Sequence, residues 1–129
     1  MEQPINTKIY EGELASFWID KDNILCALSK NTSRTLKKQK DNFTFIRQII
    51  GDKKVCMLSD STNANPPDIE TRDYMEREMP TLFKAMAILS KSAIGEIFPK
   101  AFLVLNSYPM PMKYFSEEKE ARDWLKQYL

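Results

Sequence analysis

The chain has 129 residues, 43% of them hydrophobic, with 19 basic and 18 acidic side chains and a net charge of +1. That length suits a single domain over residues 1–129, burying roughly two thirds of its unfolded surface. A charge so near zero supplies no field to draw in nucleic acid or an anionic membrane.

The elements read in chain order as follows. Leu14 to Asp20 is rich in β-formers, Lys21-Asp22-Asn23 turns, and Ile24 to Ser29 returns, so the two strands pair as an antiparallel hairpin. Thr7 to Glu11 extends the first strand or adds a short edge strand. Asn31-Thr32-Ser33 offers caps for a helix whose face is Leu36, Phe43, Ile46 and Ile50, flanked by Ile49, with Gly51 at its end. Arg34, Lys37, Lys38 and Lys40 cover the rest of that helix. They read as an anion patch or, preferably, as a solvated face.

Lys53 to Asp60 is a buried strand, because its apolar residues are consecutive, as in a parallel strand covered on both faces. Ser61 to Pro67 is a loop. Asp68 caps a helix from Ile69 to about Met79, which Pro80 ends or kinks. The helix–strand rhythm places the next strand near Ala85 to Ser90. Ile94, Ile97, Phe98, Ala101, Phe102 and Leu105 then follow helical spacing, Asn106 to Pro109 loops, and Met110 to Phe115 forms a last short strand. Ser116 reads as the cap of a terminal helix carrying Ala121, Trp124, Leu125 and Tyr128 on one face.

The order β-β-α-β-α-β-α-β-α implies an α/β fold: a mostly parallel central sheet, an antiparallel hairpin at its start, and about four helices covering it.

Chemistry is constrained by what is missing. The chain has no histidine, so it has no Ser-His-Asp or Cys-His nucleophile pair, no His-ligated zinc and no imidazole base near neutral pH. With three glycines there is no Gly-rich phosphate loop. No cofactor is expected, and the expected class is not an enzyme. No segment nears the ~20 consecutive apolar residues that span a bilayer. Met1 to Lys8 has no apolar core of an export signal. The expected location is therefore the cytoplasm, where Cys26 and Cys56 are two small buried side chains rather than a disulfide. The seven methionines and the aromatic set from Phe17 to Trp124 read first as core.

The place to look for binding is the carboxyl edge of the parallel strands, in a crevice at a switch in strand order. Two segments are expected to converge there: Asp60-Ser61-Thr62 after the central strand, and Ser90-Lys91-Ser92 after the next. Hydroxyls, a cation and a helix N-terminus together suit a small anion. The plainer reading is that these residues cap helices and end strands.

The strings VCMLSDS, AMAILSKS, IGEIFPKAFLVLN and PMKYF and the close SEEKEARDWLKQYL, in this order, carry a resemblance. The chain resembles the STAS-like group, whose fold is that of the SpoIIAA anti-sigma-factor antagonist, and within it an uncharacterised bacterial branch. In that branch a run like Ala87 to Ser92 precedes Ile94-Gly95, and the chain closes on Phe115 and Ala121-x-x-Trp124-Leu125. The phosphorylated antagonists of the group share an Asp-Ser-Ser-Gly stretch. Here Asp60-Ser61-Thr62-Asn63 stands after the central strand without the glycine, so the resemblance implies Ser61 or Thr62 as a phosphoacceptor. The function expected is a binding or regulatory module acting through a protein partner or small ligand. The alternative is a carrier of a lipid or small apolar molecule. A homodimer is compatible with either.

Overall fold

The computed structural model describes residues 1–90 and 110–129. Six strands form one sheet: β1 (Tyr10–Glu11), β2 (Ala15–Ile19), β3 (Leu25–Ser29), β4 (Val55–Asp60), β5 (Phe83–Leu89) and β6 (Met112–Phe115). The helices are α1 (Leu36–Ile50), α2 (Ile69–Leu82) and α3 (Glu118–Leu125), with a 3-10 turn at Lys126–Tyr128. The described residues thus hold three α-helices rather than about four. The helix expected from Ile94 to Leu105, the loop from Asn106 to Pro109, and Lys91 and Ser92 lie outside them.

β1, β2 and β3 pair antiparallel, and β3, β4, β5 and β6 pair parallel, as expected. The spatial order is also the chain order, β1 to β6. Among the described strands there is consequently no reversal of order, and the expectation of a crevice at a switch point is corrected. Right-handed crossovers that always step the same way put their helices on the same face. Phe43, Ile46 and Ile50 of α1 and Met79 and Leu82 of α2 accordingly bury against Phe17, Leu25, Met57 and Ile88 on one face. Among the described helices only α3, entering after β6, reaches the other. There Ala121 and Leu125 bury against Trp18, Cys26, Cys56, Leu58 and Ala87.

Local chemistry sets the element ends. Asn23 adopts φ +60 in the hairpin turn, a conformation Asn tolerates. Asp20 Oδ1 accepts the N–H groups of Asp22 and Ile24 and holds that turn closed. α1 starts later than expected: its cap is Thr35, whose hydroxyl accepts the Lys38 N–H at 3.2 Å. Asp68 caps α2 as expected, accepting the Thr71 N–H at 2.8 Å. Pro80 does not end α2 at Met79. It lies in the last turn, where its missing N–H removes one helix bond, and the helix runs on to Leu82. Ser116 is not the cap of α3. The Phe115 carbonyl still accepts the Ser90 N–H, so the chain spends Ser116 on the turn and Glu117 takes the cap position without a side-chain bond.

The two cysteines sit on adjacent strands and the same face, but Cys26 lies opposite Leu58 while Cys56 lies two residues earlier. Both thiols are buried and free. Met57, Met79, Met86 and Met110 are buried, and Met75 and Met112 pack against the same core on the α1/α2 face. Unbranched thioethers fill the irregular space between two helices and a twisted sheet.

β4 is the structural centre, with neighbours on both edges and cover on both faces. Leu58 is fully buried there. Leu58→Ala is expected to cost about 2–5 kcal/mol, read as a lower urea midpoint with an unchanged m-value.

Candidate functional site

Strand alternation decides which polar side chains meet. Met57 faces α1 and α2, so Ser59 and, beyond the strand end, Ser61 face the same way. Leu28, Asp60 and Leu89 form the last paired row across β3, β4 and β5. The next residue on each chain is a serine: Ser29, Ser61 and Ser90. Ser61 N–H donates to the Leu89 carbonyl at 2.8 Å, which carries the parallel pairing one step past the strand. Three serines therefore stand abreast at the carboxyl edge on the helix side, and the Ser59 and Ser61 hydroxyls are 3.1 Å apart. Ser29, Ser59 and Ser90 are 7%, 8% and 7% exposed, and Ser61 is half-buried.

The helices contribute to the same place. The buried stripe of α1 is Gln39, Phe43, Ile46 and Ile50, and Gln39 is its top. The buried residues of α2 are Thr71, Met79 and Leu82, with Met75 packed beside them, and Thr71 is the top. Phe43 and Tyr74 stack at 5.8 Å, one turn below Gln39 and Thr71 respectively. Both helices thus point their first turns, and a buried polar side chain each, at the end of the sheet that carries the serines. The loops above are tied together as well: Asn65 Nδ2 donates to Asn31 Oδ1 and to the Thr32 carbonyl.

Asp60 points to the opposite face. Its Oδ1 accepts from the backbone N–H and the hydroxyl of Thr62, and its Oδ2 lies 2.8 Å from the Met1 amino nitrogen. Burial works against the charge of Asp60, but these donors outweigh it and hold the carboxyl below its ordinary range. Asp60 therefore anchors the turn on which Ser61 is presented. Of the candidates named from sequence, Ser61 and Ser90 come together, Asp60 and Thr62 make the turn beside them, and Lys91 and Ser92 lie outside the described residues.

The remaining polar groups divide simply. Lys37 pairs with Asp41 and Lys38 with Glu13, while Lys40 lies over the Tyr74 ring. Those lysines are the solvated face expected of α1. On the other face Arg122 bonds both Asp20 and Glu118 and so ties α3 to the β2–β3 turn. An open cleft of about 760 Å³ lies there, with Trp18 and Ile24 among its apolar lining. Cys26 sits beneath that ion pair. Burial first, and then the nearby Asp20 charge, push its thiol up to about 12, and burial also raises Cys56. Neither is set up as a thiolate.

Sequence reading missed Ser29, Gln39 and Thr71. The signal for Gln39 was present, since 39, 43, 46 and 50 keep helical spacing. Thr71 and Ser29 carry no such signal, because each becomes part of the cluster only through strand register and helix packing.

An uncharacterised protein of the DUF3478 family with a SpoIIAA-like fold, from Shewanella loihica PV-4, is similar to this chain at a TM-score of 0.53 and 17% identity, over 97% of this chain and 98% of its own. The architecture is thus SpoIIAA-like, as the sequence strings implied. A protein of unknown function from Arthrobacter sp. FB24 is 24% identical over 85% of this chain and 97% of its own, at a TM-score of 0.32. No curated protein matches the chain. Residues 17–129 match the model of a domain of unknown function, DUF7793, and the chain belongs to that family.

Two measurements check the electrostatics. Asp60 titrates lower in the fold than in the unfolded chain, so it adds stability above about pH 4, and that stability is lost as pH falls through the folded value. Asp60→Asn is expected to cost about 1.5–3 kcal/mol at pH 7 and to flatten the acid limb in urea titrations between pH 3 and 7. Thiol titration with a disulfide reagent is expected to find Cys26 and Cys56 unreactive in the folded protein and both fully reactive in denaturant.

Proposed function

We propose that the chain is a non-catalytic regulatory module, read by a protein partner at the carboxyl edge of its sheet. The observation that carries this reading is the Asp60–Thr62 turn. A buried, charged Asp60 holds the backbone while the half-buried Ser61 hydroxyl stands at the rim beside Ser90. A phosphate on Ser61 or Thr62 brings close to two negative charges to that rim and changes what it attracts. The non-catalytic part has chemical support: the chain contains no imidazole, and burial keeps both thiols protonated. The SpoIIAA-like architecture, as a fold alone, is compatible with such a role.

One observation favours a second reading, a carrier of a small apolar molecule. Six methionines gather on the α1/α2 face of the sheet, and thioether side chains adapt to ligands of irregular shape. Native mass spectrometry of protein from its own cells separates the two, since a carrier arrives with an added small-molecule mass.

The regulatory reading is tested by pull-down from lysate of the native cells. The Ser61→Asp/Thr62→Asp double variant is expected to change the recovery of a specific partner at least about tenfold, the loss that ~1.4 kcal/mol produces. Equal recovery by wild type and variant defeats the switch.

A further inference from the structure

Five of the buried polar side chains in this protein, Ser29, Gln39, Ser59, Thr71 and Ser90, gather on one face at one end of the sheet. Such groups are normally scattered and individually satisfied. Here the fully buried Thr71 hydroxyl has no hydrogen-bond partner among the described residues. It tops the α2 stripe that packs on the sheet, so it faces the serine end. Arg34 joins the cluster from above. Unlike the lysines that follow it, Arg34 turns inward and donates from Nη1 to Gln39 Oε1 at 2.7 Å, a neutral partner. Among the described residues no carboxylate lies within salt-bridge distance of its guanidinium. α1 has no acidic residue in its first turn. A half-buried guanidinium, two helix N-termini and an orphan hydroxyl make a site short of negative charge and rich in donors.

We propose that this cluster binds a phosphate-type oxyanion, with Arg34 as its counter-charge and Thr71 and the Ser61 rim supplying hydroxyl donors. Arg34 and Ser61 are its two half-exposed members. Burial without an anion lowers the pKa of Arg34, a penalty that a bound dianion removes. The proposal rests on the regulatory reading only for one source of the phosphate, a phosphoserine at position 61. The other source is a free phosphomonoester.

The test is a titration of the unmodified chain with inorganic phosphate at constant ionic strength, with chloride as the control. It is read by the Arg34 Nε–H resonance and by the thermal midpoint. The expected result is a saturable shift of that resonance and a higher midpoint. Arg34→Gln is expected to weaken the apparent phosphate affinity at least about tenfold, and Arg34→Lys to restore part of it. Thr71→Val is expected to keep the phosphate-free midpoint and to lower the affinity. A chain carrying phosphoserine at 61 that no longer responds identifies its own phosphate as the source, and a continued response identifies a free phosphomonoester. An Arg34 resonance that neither inorganic phosphate nor phosphoserine moves overturns the proposal, as do Arg34→Gln and Thr71→Val variants that respond like wild type. No partner protein enters this measurement, so its failure is separate from failure of the pull-down.

Discussion

The steady stepping of the described strands across the sheet, each beside its predecessor, governs this molecule. Because each β–α–β step moves one strand further along the sheet, α1 and α2 share a face and run side by side. Their apolar stripes must then cover the width of β3, β4 and β5. The opposite face has a single described α-helix, α3, supplemented by Met1, Ile9 and Tyr128. The same constraint sets both helix N-termini at the carboxyl end of the sheet, so the positive poles of two macrodipoles stand together there.

That end of the sheet is also where the strands stop being apolar. Consecutive burial along β4 runs from Cys56 to Asp60 and closes on Ser59 and Asp60, two polar residues that face opposite ways. Asp60 finds donors on the α3 face, while Ser59 meets the Ser61 hydroxyl on the helix face. The asymmetry gives one side of the rim a satisfied anion and the other a collection of donors. Arg34 belongs to the second side because Thr35, not Asn31 or Ser33, caps α1. The later start places Arg34 just before the cap, within reach of Gln39 on the buried stripe.

Much of the fold was legible because it rests on spacing. The consecutive apolar run at β4, the Lys21-Asp22-Asn23 turn, the Asp68 cap and the helix–strand rhythm each follow from short-range rules. What the sequence did not disclose depended on neighbours in space. Ser116 looked like a cap, but Phe115 was still committed to the sheet. Pro80 reads as a stop or a kink, but it falls in the last helical turn. Asp60, Ser61 and Thr62 stood out in the sequence as a strand end that resembles a known motif, but the hydrogen bonds that make a turn of them did not. Ser29 and Thr71 were not, since only register and packing bring them within one cluster.

One consequence of the strand order concerns how the chain finds its fold. Every described strand after the first pairs with its predecessor in the chain, so none of these pairings closes a loop over more than one crossover. Such a sheet can grow by adding one neighbour at a time, which favours rapid assembly among mixed α/β domains. Arg122 to Asp20, by contrast, is a contact spanning 102 residues. It joins α3 to the turn between β2 and β3. Fastening α3 to that turn therefore closes a longer loop, at a larger cost in chain entropy, than any of the described strand pairings.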